Sequence, residues 1–390
     1  MIAAAAAIAT GCHRAPSPPT QAMAAAPDMA APLLTVVSSM RCEECHGKIA
    51  ARWHVSAHAR ADKTPLYAAM HAKAPDAAGC DHCHAPLVGR ADPAEPATRE
   101  AITCDVCHSI TAVEPARTGG AFTLQTQDNI KRGPLCDAKD HYFHKMGCSP
   151  LHTEGRLCAA CHLYYRSTGG GASLPVFTEY EEWRDGPAAA AGLECQSCHM
   201  PAIEGGEVAR GWKPRPRSHD HSLLGLDGAL RKRALKLRLE VAGGDGVAHV
   251  VATLTNVGAG HAVPSGLPGR RIVLRAVALD GAGAEQGRVE RQWARVLADD
   301  AGRERPFYAA TRVASDHRLQ RDVPALEQLD VPATRPGTLL VQVVWRESPS
   351  AWRDELGVDG GEEILLETRV PLPAATQGAQ PRVVTLEPRR

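Results

Sequence analysis

Residues 42–46 read Cys-Glu-Glu-Cys-His, and the same frame returns at 80–84 (Cys-Asp-His-Cys-His), 104–108 (Cys-Asp-Val-Cys-His), 158–162 (Cys-Ala-Ala-Cys-His) and 195–199 (Cys-Gln-Ser-Cys-His). These five copies take ten of the 13 cysteines in a chain of 390 residues. Random placement of those cysteines and of the 18 histidines would yield about 0.02 copies, so the repeat is a site pattern rather than a result of composition. The spacing has a chemical reason. Two thiols one helical turn apart can each add across a vinyl group of a single haem, and the next residue then lies beneath the ring with its imidazole at the iron. The pattern predicts five covalently bound haem c groups, attached through Cys42 and Cys45, Cys80 and Cys83, Cys104 and Cys107, Cys158 and Cys161, and Cys195 and Cys198. His46, His84, His108, His162 and His199 are then the proximal iron ligands. A zinc ribbon has no reason to place His directly after the second Cys five times, and a redox dithiol would occur once, near a strand–helix turn.

Working outward, the motifs crowd into residues 42–199, roughly one haem per 32 residues, too little chain for an ordinary apolar core beside five porphyrins. The haems themselves are expected to be the core of residues 39–225, which fits an aromatic content of only 4%. Short helices, each ending in an attachment motif and joined by irregular loops, are expected there. The second and third motifs are closest in sequence, so their haems should be near neighbours.

From about Ala229 the character changes, and no Cys occurs through Arg390. Segments of strand type follow at Leu235–Val241, Ala248–Thr255, Arg271–Leu279, Leu339–Trp345 and Ile364–Val370, bounded by turns such as Gly243-Gly-Asp-Gly246 and Asp359-Gly-Gly361. Residues 226–390 therefore read as an all-β sandwich of immunoglobulin-like type. Arg288–Leu297 could be a helix or a long strand, and Trp212–Pro216 reads as the connection between the halves.

Residues 1–12 are apolar and end in Ala-Thr-Gly-Cys12, the pattern of a bacterial lipoprotein signal with Cys12 as the lipid-bearing residue; the alternative is an ordinary secretory signal with an incidental Cys. Either exports the chain. Residues 13–38, rich in Ala and Pro, read as a disordered tether. No other stretch has the length and apolarity of a membrane helix, which leaves the lipid as the expected membrane contact. Lys+Arg and Asp+Glu balance at 44 each, removing the electrostatic case for nucleic acid as a partner. Cys136 and Cys148 remain, and in an oxidising compartment they are expected to form a disulfide, with buried free thiols as the alternative.

Second axial ligands must come from the remaining histidines. His54 and His58 lie one turn apart on one helix face, and His58 is favoured with His54 as the alternative. His71 follows in the same segment. His141, His144 and His152 precede the fourth motif, with His144 near the middle of the Cys136–Cys148 loop. His219 and His221 follow the fifth motif, and His261 lies in a Gly/Pro-rich turn at 258–266 that could present an imidazole to a haem edge. For each, the alternative is a surface or hydrogen-bonded histidine.

Cys42–Ala59, Ile102–His108 and Thr178–Pro201 (with Tyr180, Trp183 and Cys195-Gln-Ser-Cys-His-Met-Pro201) resemble bacterial multihaem c-type cytochromes related to the tetrahaem electron acceptor of hydroxylamine oxidoreductase. Asn256–Gly266 resembles a turn in the β-domain of larger members. The resemblance implies that His58, His221 and His261 are distal ligands, and that the chain passes electrons between membrane or periplasmic donors and reductases or extracellular acceptors. Five motifs rather than four, and the Cys136–Cys148 loop, depart from that pattern. With His71 and His144, the candidate distal set is His58, His71, His144, His221 and His261. Three functions follow from this reading: an electron carrier with redox protein partners, a reductase or oxidase acting on a small nitrogen or sulfur compound at one open haem, and a module whose β-domain recruits a partner. The carrier reading is preferred because histidines exceed the open iron sites and no motif replaces its proximal His.

Overall fold

A computed structural model describes residues 33–223, 228–358, 360–372 and 381–388. Cys12 and most of the expected tether lie outside them. The first part is helical around the motifs, with short two-stranded sheets between; the second is β-rich and antiparallel.

The first motif sits inside the helix Ser39–His54, which Ser38 caps by accepting from the Met40 N–H at 3.2 Å. Glu100 fastens that cap from a distant loop, accepting from the Ser39 N–H at 2.7 Å. The backbone kinks at His46 (φ −101°, ψ 33°), which turns the imidazole out of the helical register. Asp76 caps Ala77–His84, carrying the second motif, and Thr103 caps Cys104–Ser109, carrying the third. The expectation that each helix ends in its motif holds for Ala77–His84 and Cys195–His199. Elsewhere it needs correction. The first helix continues to His54, the third runs one residue past His108, and the fourth motif falls on the 3-10 turn Gly155–Ala160 with Cys161 and His162 beyond it.

The apolar core of this part is small and built largely from short side chains, among them Ala91, Ala97, Val106, Val113 and Ala160. The segment 212–216 does not join the halves: Arg217–His219 pairs antiparallel with Ala202–Glu204, so it is the loop of a hairpin within the first part.

In the second part, Pro324–Pro332, Val247–Asn256, Leu235–Gly244 and Arg382–Leu386 form one four-stranded sheet in that order. Glu285–Trp293, Arg271–Asp280, Gly337–Arg346 and Glu362–Leu372 form the other. Leu235, Leu237, Leu239, Ala248, Val250 and Leu254 from the first sheet meet Leu274, Ala276, Leu339, Val341 and Val343 from the second in one core. Alternation along Leu235–Val241 places every second side chain inside. The ambiguous stretch 288–297 is strand, spread over Glu285–Trp293 and Arg295–Ala298. The strands Pro324–Pro332 and Arg382–Leu386 were not expected; both are sheet edges with several exposed positions, so their apolar signal is weak.

Candidate functional site

Five Cys-x-x-Cys-His motifs converge in the helical part. Their thiols reach one another across motifs: Cys42 lies within hydrogen-bonding reach of Cys104, Cys83 of Cys161, and Cys158 of Cys195. These contacts join the first motif to the third, and the fourth to both the second and the fifth. The second and third motifs, neighbours in sequence, are not joined by such a pair, because the segment 85–103 between them folds into turns that pack on the small core. Cys136 and Cys148 form a disulfide with a Cα–Cα distance of 4.5 Å.

Three of the histidines that end the motifs are oriented by backbone carbonyls. Nδ1–H of His46 donates to Val208 O at 2.6 Å, that of His84 to Ala61 O at 2.7 Å, and that of His108 to Arg132 O at 2.5 Å. A carbonyl can only accept, so each bond places the proton on Nδ1 and leaves Nε2 with a free lone pair, the arrangement a metal-bound imidazole needs. His221, His261 and His144 do the same toward His219 O (2.9 Å), Ala262 O (3.0 Å) and Lys145 O (3.2 Å). Burial pushes the His58 imidazole down to about 3, and those of His108 and His199 to about 4. These rings are therefore neutral at neutral pH, as ligation requires.

Pairs of rings face one another across the motif cluster. His46 and His144 have centroids 6.2 Å apart with planes at 29°; His108 and His221 are at 6.4 Å and 24°; His199 and His261 at 6.4 Å and 18°; His58 and His162 at 6.4 Å and 43°. A metal–imidazole bond of about 2.0 Å plus about 1.1 Å from nitrogen to ring centre puts two centroids roughly 6.2 Å apart across a shared metal. Rings in direct stacking contact sit closer, as Tyr67 and His84 do at 4.5 Å. Each facing pair joins a motif histidine to one of the candidate distal set. Beside them, Arg270 has a buried Nε without a hydrogen-bond partner, and its charge lowers the proton affinity of His162. Its other side is held, with one terminal nitrogen donating to Ser265 O at 3.1 Å, and a guanidinium with a spare buried N–H next to such rings is suited to a haem propionate. Among the described residues no three His, Cys, Asp or Glu side chains converge on one point as a tetrahedral zinc cage would need. The residues present thus fit haem c.

His71 stands apart from this set. Its Nε2 lies 3.2 Å from Asp81, which also accepts from the Tyr67 hydroxyl at 2.8 Å, and the ring that meets His84 is Tyr67. The helix Pro65–His71 places Tyr67 and His71 four residues apart on one face, both drawn to the carboxylate beside Cys80. The i, i+4 spacing was visible in the sequence; which of the two rings would lie against His84 was not.

The remaining histidines are held by other groups as well, although the His152 ring also stacks on His108 at 5.7 Å with planes at 13°. His54 pairs with Glu43 at 3.1 Å. Both ring nitrogens of His152 are engaged, by Ser149 Oγ at 2.9 Å and Cys107 O at 3.0 Å. His219 donates to Met200 O at 2.9 Å, and His82 to Gly120 O at 3.0 Å.

Residues 41–109 match the family described as cytochrome c554 and c-prime. The fold is similar to that in the crystal structure of a penta-heme cytochrome c552 from Thermochromatium tepidum, with a TM-score of 0.69 and 21% sequence identity over 86% of this chain and 99% of that one. No curated protein matches the sequence. The chain thus combines a stretch similar to a multihaem cytochrome family with an overall fold similar to that of a penta-heme cytochrome.

Proposed function

We propose that the chain is an exported multihaem c-type cytochrome that carries electrons along five covalently bound haems, four of them held between two imidazoles. The observation that carries this reading is the set of four histidine pairs at 6.2–6.4 Å, each uniting a motif histidine with a distant one. A bis-imidazole iron is six-coordinate and low-spin, and it changes oxidation state with little rearrangement, which suits transfer rather than bond chemistry. The thiol contacts support two groups, the first haem beside the third and the fourth beside the second and fifth, and Cys107 of the third motif, which acts electrostatically on Cys158 and Cys161 of the fourth, would link the groups into one route. Haem counting together with low-temperature EPR of the oxidised protein tests this. Five haems with four low-spin bis-imidazole signals are expected; fewer haems, or high-spin iron at any of the four paired sites, would refute it.

A second reading rests on His84. Its ring neighbour is Tyr67 rather than another imidazole, so the haem of the second motif is the one at which a small nitrogen or sulfur compound could bind iron. A stoichiometric high-spin signal that responds to nitrite or hydroxylamine would favour a reductase or oxidase there.

The β-rich half is read as immunoglobulin-like, since its first, second and fifth long strands share one sheet while the third, fourth, sixth and seventh share the other. Export as a lipoprotein through Cys12, to the periplasm or cell surface, completes the proposal. Its partners would be redox proteins, with membrane contact only through that lipid and no nucleic acid involved. Among the described residues no helix is long and apolar enough to cross a membrane.

A further inference from the structure

The loop Asn256–Gly266 carries His261 out of the β-rich half to face His199, and carboxylates from the other half grip it on both sides. We propose that Glu182, on the helix Glu179–Arg184, is a positioning residue that holds this loop so that His261 stands opposite His199; the proposal rests on the reading of that pair as iron ligands. Glu182 Oε2 accepts from the Ala262 N–H, directly after His261, at 2.9 Å. Its Oε1 accepts from Arg318 at 2.5 Å and from the Thr178 hydroxyl at 2.6 Å. Three residues earlier, Glu179 accepts from the Gly266 N–H at the far shoulder of the loop.

The loop's internal shape is set within the β-rich half. Asn256 Nδ2 donates to His261 O at 2.9 Å, Asn256 Oδ1 accepts from the Ala259 N–H at 3.0 Å, and Val263 and Leu319 exchange bonds of 3.0 and 2.7 Å. Its placement across the boundary depends on Glu182. The clamp is buried and ionic: the Arg318 side chain is 5% exposed and Arg295 7%, and both bind Asp316. Removing the carboxylate leaves Arg318 with Asp316 as its remaining carboxylate and leaves the buried Ala262 N–H without its acceptor. The same stretch of chain then runs through the short helix Pro187–Ala190 to Cys195, so Glu182 and the motif containing His199 are carried by one short connected segment.

Carbon monoxide uptake by the ferrous full-length holoprotein, counted in the fast phase after mixing, tests the proposal, because CO takes an iron site promptly only where the distal imidazole is absent or displaced. H261A provides the reference and is expected to bind about one more CO per chain than the parent. E182A is expected to approach that value with haem content unchanged, and E182Q, which keeps an oxygen for the Ala262 N–H, to fall between. R275M removes ion pairs with Glu290 and Glu362 elsewhere in the β-rich half and is expected to match the parent. If H261A gains no CO, the His199–His261 pairing fails and the proposal with it. If H261A gains CO while E182A and E182Q stay at the parent level, Glu182 does not position the loop. If R275M gains as much as E182A, the effect is general loosening, and the assignment is overturned. Should E182A yield no holoprotein, E182Q against the parent decides.

Discussion

The bridge between Cys136 and Cys148 closes the segment that carries His144, and the cost of removing it can be worked out. The cysteines are 12 positions apart. Chain-entropy treatment of a loop of that size gives about 3 kcal/mol of restraint, or roughly 100-fold in the population of an opened segment. His144 faces His46 from this loop, just before the strand Lys145–Cys148 that pairs with Ile130–Gly133. Asn129 also holds the segment, its side chain donating to Phe143 O at 3.0 Å and its carbonyl accepting from the Lys145 N–H at 2.9 Å. Part of the restraint therefore survives loss of the bridge, and an increase of about 10- to 100-fold in transient release of His144 is expected in C136A/C148A. Stopped-flow CO binding to the ferrous protein reads this directly, because opening limits the rate at a bis-imidazole haem. H144A supplies the fully open reference. A CO-binding rate within about twofold of the parent in C136A/C148A, with a fast phase present in H144A, would refute the view that the bridge restrains this ligand. No fast phase in H144A would refute the His46–His144 pairing itself.

Further outcomes are expected from other parts of the molecule. H221A should convert one low-spin haem to a CO-binding one, whereas H71A should leave the EPR spectrum of the other haems unchanged, because His71 pairs with Asp81. Leu239 is fully buried between Ala252 and Val384 on neighbouring strands, so L239A should cost about 2–5 kcal/mol in unfolding of the β-rich half, followed by far-UV circular dichroism, with haem content unchanged. Burial opposes ionisation of Glu182 and Asp316, but Arg318 outweighs it and holds both carboxyls below their ordinary values. A depressed folded value means the stabilisation is fully present above the ordinary carboxylate range and is lost as pH falls through the folded values. The guanidinium midpoint should therefore lose nothing from these two groups between pH 7 and 5 and decline below about pH 4.5; a midpoint flat to about pH 3.5 would contradict the ionic clamp.

Haem attachment is a local matter. Two thiols and an imidazole must reach one porphyrin from five consecutive residues, so the frame proposed for the motifs at 42–46, 80–84, 104–108, 158–162 and 195–199 can be read from sequence spacing alone. The strands Leu235–Gly244 and Val247–Asn256 were readable for a similar reason, since burial on one face forces a period of two. Facing partners obey no such rule. His144 stands opposite His46, His58 opposite His162, and His261 crosses from the β-rich half to His199, each set by chain paths that no spacing encodes. His71 shows the limit: its place before the second motif suggested a ligand, yet a carboxylate one residue after Cys80 offered a nearer partner, and the Tyr67 ring met His84 instead. Glu182 carried no signal in the sequence, because a positioning carboxylate is defined only by the amide and guanidinium that folding brings to it. Motif spacing is local and survives in the linear chain; which ring stands opposite each motif histidine is not, since opposing rings meet only when distant segments pack.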